Sequence, residues 1–189
     1  MKKLVIAVSI ALLSACAAPQ KEQISLMPQA TLSQSDIVRG TNFTLTSKDI
    51  RAAQYVALLD NGRENIQPIH AKENMRIALE SILTKQFNSQ GFNITLDSNN
   101  SINLEIQEAL VNVQHSVMEN EIDGKVTLEI TAENPQGKLT KTYHGVAKRT
   151  GMMSASNDDI QLVLNDVLTL VLAEIANDTE LQNYMKERF

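Results

Sequence analysis

The chain has 189 residues, with 17 Lys and Arg against 22 Asp and Glu, so its formal charge is −5. That acidic balance excludes nucleic acid and other polyanions as expected partners. A single cysteine, no tryptophan, three tyrosines and four phenylalanines leave no internal disulfide, no thiolate metal cluster and little aromatic surface for stacking sugars.

The first element is an export signal. Lys2 and Lys3 precede an apolar stretch from Leu4 to Leu13, about ten residues long and too short to span a bilayer. Leu13-Ser14-Ala15-Cys16 follows, and small residues leading directly into a cysteine resemble a bacterial lipobox. The resemblance implies cleavage between Ala15 and Cys16, with acyl chains on the Cys16 thiol and on the new amino group. A lone exported cysteine is otherwise a loose thiol. Several acyl chains on one residue give stable anchoring, at about 0.8 kcal/mol per buried CH₂. Ala17 rather than Asp after the cysteine is the pattern of lipoproteins sent to the outer membrane, so the expected place is its periplasmic face in a Gram-negative bacterium. Without residues 1–15 the balance becomes 15 basic to 22 acidic, formally −7. The expected organisation is a signal peptide over 1–15, the lipidated Cys16 with a short tether over 16–23, and one periplasmic domain over 24–189.

The spacing then predicts a weak edge strand at 24–28 and strands at Phe43–Thr46 and Gln54–Leu59. A turn-rich connection from Asp60 to Ala71 follows, containing Asn61-Gly62 and Pro68. Met75, Ala78, Leu79, Ile82, Leu83 and Phe87 recur at helical steps, predicting a helix over 73–90 that Gly91 ends. Asn93–Leu96 reads as a short strand. Ile102, Leu104 and Ile106 have one parity and Val111, Val113 and Val117 the other, which requires a bulge or bend near Glu108 to Leu110. Ile122, Val126, Leu128, Ile130 and Ala132 alternate with polar residues as a half-exposed strand. Asn134-Pro135-Gln136-Gly137 turns it into a return strand over 138–148. After a break at Gly151–Ala155, Ser156-Asn157-Asp158-Asp159 forms a capping box for a buried helix from Ile160 to Ile175. Asn177-Asp178-Thr179 separates it from a last short helix. The expected class is α+β: a largely antiparallel, possibly mixed sheet with two main amphipathic helices on one face, a two-layer sandwich.

No motif carries chemistry. His70, His115 and His144 lack metal-ligand spacing, and no metal or other cofactor is expected. Ser154 and Ser156 lie outside any GxSxG or SxxK pattern, and capping explains Ser156. Asp158-Asp159 suit a helix first turn, and Glu119, Glu121 and Asp123 alternate toward water. No catalytic residue is assigned. Met152 and Met153, placed in a loop after Gly151, form a candidate exposed interaction patch.

The segment Gln86 to Phe92 and the Ser154-Ala155-Ser156-Asn157-x-x-Ile160 start of the long helix, with the LTKTYHG arm between them, resemble the YajG family of bacterial lipoproteins. The likeness runs over nearly the whole chain after the signal. It implies a lipid-anchored envelope protein without an established activity, and it brings no catalytic residue. Three functions stay open: an interaction or scaffolding module with an envelope protein partner, a binding module for a cell-wall fragment or lipid, and an enzyme.

Overall fold

The computed structural model describes residues 22–62, 65–116, 118–152 and 154–189. In chain order its elements are β1 (Gln23–Ile24), β2 (Thr41–Asp49), β3 (Tyr55–Asp60), β4 (Gln67–Ala71), α1 (Met75–Ser89), β5 (Phe92–Ile94), β6 (Ser101–His115), β7 (Glu119–Asn134), β8 (Gly137–Met152), α2 (Asn157–Asn177) and α3 (Thr179–Arg188).

β6 is the centre of one sheet. Along one edge it pairs antiparallel with β7, and β8 follows antiparallel to β7. Its other edge is shared end to end by two parallel strands, β2 against residues 101–106 and β3 against 111–114. β5 lies parallel to β2, β4 antiparallel to β3, and β1 parallel to β4. The α+β class holds and the sheet is mixed, the alternative the sequence reading allowed; because it is also curled, the largely antiparallel two-layer sandwich is met only in part. The antiparallel part is the continuous β6–β7–β8 meander. The parallel pairs come from crossovers, whose partners strand patterning does not encode.

The bulge in β6 falls between Ile106 and Glu108. It coincides with the gap between β2 and β3, and Arg51 fills that gap. Its guanidinium donates to the Tyr55 and Ala109 carbonyls and is paired with Asp49. β4 was read as part of a connection because Pro68 lacks a ladder donor. Among the described residues β1 pairs with β4 at His70 and Ala71, and Pro68 pairs with Leu58 of β3.

Both long helices lie on the same face. α1 packs on β2 and β5, and α2 on β6, β7 and β8. Ser156 caps α2 with the full reciprocal box to Asp159. The close approach of α2 depends on two glycines inside strands. A Cβ on Gly124 would meet Val163 Cγ1 at 2.8 Å, and one on Gly145 would meet Val171 Cγ2 at 2.5 Å. Real Cβ atoms do not tolerate either distance, so these glycines set the helix-to-sheet spacing. Phe43, Phe87 and Phe92 pack edge to face under α1, each contact adding ~1 kcal/mol beyond burial.

Residues 25–33 do not continue β1 as the expected edge strand. They run extended over the helices, and alternate amides donate to helix side chains. Ser25, Met27 and Gln29 bond Gln161, Asn165 and Thr169 on α2 at 2.9, 2.7 and 3.0 Å. Thr31 and Ser33 bond Gln86 and Ser89 on α1 at 3.2 and 2.9 Å. The period-2 strand thus matches an i, i+4, i+8 row on α2. Gln86 and Gln90 are buried and donate to the Leu172 and Ala176 carbonyls, tying α1 to α2. Gly91, at φ +92°, brings its backbone against Val38 O, where a Cβ would lie at 2.0 Å.

Gly145→Ala is expected to destabilise the domain by about 1–3 kcal/mol through overpacking. Val171→Ala in the same chain should recover part of that loss, since it removes the nearest obstructing atom. Denaturant unfolding of the two single variants and the double variant checks this, and strictly additive losses would contradict it.

Candidate functional site

The residues singled out in the sequence are dispersed by the fold. Ala15, Cys16 and Met153 lie outside the described residues. Met152 is the last residue of β8 rather than part of a loop, and is 88 % exposed. His70 stands on β4. His115 ends β6, where its Nε2 accepts from the Ala155 amide at 3.1 Å and fastens the β8–α2 connection. His144 is on β8, its Nδ1 3.1 Å from Thr127 Oγ1. Among the described residues no group of three His, Cys, Asp or Glu is placed to hold a metal ion.

The paired carboxylates are also engaged. Asp159 closes the α2 capping box, and the Ser156 hydroxyl and amide hold its carboxyl below the ordinary value. Glu121 and Asp123 lie on the open face of β7, and Lys148 bridges to both. The hydrogen bond from Lys148 lowers the Glu121 carboxyl, while desolvation and the neighbouring Glu121 raise that of Asp123.

A cleft of about 400 Å³ opens where α1 begins, lined by Arg51, His70, Lys72, Glu73 and Arg76 among others. Most of its charged groups are matched within the chain. Burial disfavours the Asp49 carboxylate, but the Arg51 guanidinium outweighs it and holds the pKa below the usual range. Glu73 accepts the Leu26 amide at 2.9 Å, and Arg76 bonds both Ser47 and Glu80. Most of the cleft's charged groups are thus engaged within the chain.

A second charged centre joins α2, α3 and β8. Asp178 ends α2 and caps α3, accepting the Glu180 and Leu181 amides at 2.9 and 3.0 Å. The Tyr143 hydroxyl donates to it at 2.9 Å and Lys141 Nζ lies at 2.6 Å. Burial opposes its ionisation, yet Lys141, the Leu181 amide and Tyr143 together hold it below the ordinary carboxylate value. Burial and the same carboxylate push the Tyr143 hydroxyl strongly upward.

The largest unfilled backbone surface is the outer edge of β8. Among the described residues this strand of 16 residues pairs only with β7. The turn flanked by the Asn134–Gly137 pair has two residues, so that pair is hydrogen-bonded and the even-numbered β8 residues direct N–H and C=O outward. Lys138, Lys141, Lys148 and Arg149 stand on this strand, with no carboxylate among its residues. Lysines and arginines on an edge oppose pairing with a second copy of the same strand. Charge and strand pattern were visible in the sequence, but the absence of a neighbour beyond β8 was not.

A match to a family of lipoproteins places the chain in the class of membrane-anchored envelope proteins. The chain is a member of the family described as uncharacterized lipoprotein, whose model matches residues 28–186. It is 28 % identical over 184 residues to the uncharacterized lipoprotein YajG of Escherichia coli K12, covering 95 % of this chain and 94 % of that one, and equally to the protein of that name from strain CFT073. The crystal structure of protein XCC0632 from Xanthomonas campestris matches with a TM-score of 0.62 at 11 % identity, over 86 % of this chain and 97 % of that one. That likeness is one of fold. Among the described residues no helix is long and apolar enough to cross a membrane.

The Asp178 centre has a defined pH dependence. Its folded pKa is depressed, so its contribution is present above the unfolded value near 4 and is lost as pH falls through the folded value. Asp178→Asn keeps a capping side chain but removes the charge, and should cost about 1 kcal/mol at pH 7. Thermal unfolding of both forms between pH 3 and 7 should show the gap shrinking on acidification. A gap independent of pH contradicts the assignment.

Proposed function

We propose that this protein is an outer-membrane lipoprotein, held on the periplasmic face by acylated Cys16, whose domain serves as an interaction module. Its occupant is an extended, acidic segment of another envelope protein, added as a strand to the outer edge of β8. The observation that carries this reading is the unpaired β8 edge, 16 residues long and free of carboxylates. Main-chain bonds to such an edge supply affinity. Lys141, Lys148 and Arg149 already face carboxylates of this chain. Lys138 and the lack of carboxylates on the strand are therefore what favour an acidic segment over a second copy of the same strand. The cleft beside α1 supports a small cell-wall or lipid ligand less well, because Asp49, Arg51, Glu73, Arg76 and Glu80 are already engaged within the chain. We assign no catalytic role.

The test is site-specific photo-cross-linking in intact cells, with the cross-linker at Thr142 on β8 and, for comparison, at Thr46 on β2. The expected result is an adduct to one envelope protein at position 142, mapping to an extended acidic segment and absent at position 46. Thr142→Pro blocks an outward donor without removing a β7–β8 bond, so it should abolish capture by a cross-linker at Val146 while the protein stays folded and membrane-bound. Cys16→Ser should release the protein from the membrane and lose the adduct. Undiminished capture with Thr142→Pro, or no adduct at 142 in the anchored protein, overturns the edge reading.

A further inference from the structure

Register places three exposed apolar side chains on one rim of the sheet. Asp60 on β3 pairs with Gln114 on β6, and Gln67 on β4 with Leu59, so Ile66 lies at the same level as the end of β6. The β6–β7 turn carries Met118, beside Glu119, and Glu119 pairs with Met152. Ile66 is 57 %, Met118 83 % and Met152 88 % exposed. Strands stand about 4.8 Å apart, so these residues, spread from β4 to β8, form a row roughly 20 Å long. The rim is tied together behind them. Ala155 donates to His115, and a Cβ on Gly62 would lie 3.8 Å from the His115 carbonyl.

β1 runs away from this same rim. β1 is parallel to β4, with Gln23 opposite His70 and Ile24 opposite Ala71, so stepping back from Gln23 leads toward Gln67 and the rim. Measured along the strands at about 3.3 Å per residue, Gln23 stands roughly 18 Å below the level of His115 and roughly 30 Å from the level of Ser101. The seven residues from Cys16 to Gln23 span at most ~25 Å. Of the two rims of the sheet, the one bearing Ile66, Met118 and Met152 can therefore be brought to the anchor's membrane surface, and the opposite one cannot.

We propose that this rim rests on the lipid surface, with Ile66, Met118 and Met152 inserted among the acyl chains of the leaflet that holds Cys16. The inference rests on the anchor reading above, and deepens it by giving the domain an orientation. Lipid is the occupant the geometry favours, because the tether delivers this rim to the bilayer. The carboxylates of Asp60 and Glu119 on the rim oppose attraction to anionic headgroups, so insertion is apolar and should be insensitive to salt. β8 then leaves the surface at Met152, and its far end at Gly137 points into the periplasm.

The protein has no tryptophan, which makes single tryptophans clean reporters. Acylated full-length protein with Met118→Trp, Met152→Trp, Leu96→Trp or Ile77→Trp is incorporated into phosphatidylethanolamine–phosphatidylglycerol vesicles with and without brominated acyl chains. Leu96 is fully exposed beside the opposite rim, and Ile77 is exposed on α1, so both share the interfacial affinity of tryptophan without the position. The expected result is blue-shifted emission and at least twofold quenching by brominated lipid at 118 and 152, unchanged by salt, with little quenching at 96 and 77. Equal quenching at all four positions, or quenching greatest at 77, overturns the seating. A concentration-dependent blue shift at 118 and 152 without bromine quenching also overturns it, since it marks pairing of two copies. Flotation separates the two readings: protein that fails to float with vesicles sinks the anchor reading, whereas protein that floats unquenched sinks only the seating.

Discussion

The contact on which the rest of the arrangement depends is α2 lying in the hollow left by Gly124 and Gly145. Val163, Val167 and Val171 occupy the space that side chains on β7 and β8 would have taken. This draws a helix of 21 residues down onto three strands at once and buries Ile160, Leu164, Val167, Leu168, Val171 and Leu172 almost completely. With one face committed to the sheet, the flank bearing Gln161, Asn165 and Thr169 is left beside α1. There it meets the extended chain that follows β1. The end of α2 is fixed by Asp178, which also starts α3 and reaches β8 through Tyr143 and Lys141.

The consequence for function runs through the extended segment. Backbone amides away from a sheet need partners, and the helices supply them from residue 25 to residue 33. The chain is therefore fastened from β1 to the far part of α1. On the proposed anchoring at Cys16, a domain fastened in this way would present a preferred side to the membrane, and a partner strand would meet the edge of β8 at a defined height. This is a different design from a lipoprotein on a long flexible linker, where orientation averages out.

Features whose cause is local were legible in the sequence. The capping box at Ser156, the Asn134–Gly137 hairpin, the parity switch in β6 and the break at Asp178 each follow from side chains within a few positions. Features created by partners distant in the chain were not. Gln161 and Asn165 read as polar interruptions of an apolar helix, yet they hold the strap. Gln86 and Gln90 lay in the segment that carried the family likeness, but nothing local says that they reach α2 carbonyls. β4 was hidden by Pro68, a residue that sequence patterning places outside strands. The parallel pairing of β2 and β3 with β6 depends on crossovers, and Arg51 has a role only because those two strands meet end to end. For the candidate surfaces the division is the same. Met152 was visible as an apolar residue after a glycine, but its alignment with Met118 and Ile66 exists only through strand register.

The claim that residues 25–33 and the two long helices form one body, on which the proposed orientation depends, is tested most directly by amide hydrogen exchange at single-residue resolution. The account predicts slow exchange at Ser25, Met27, Gln29, Thr31 and Ser33 in the folded protein. It also predicts that Asn165→Ala accelerates exchange at Met27 without altering the amides of β7. Exchange of all five amides at the rate of a free chain, with the sheet still protected, would contradict it.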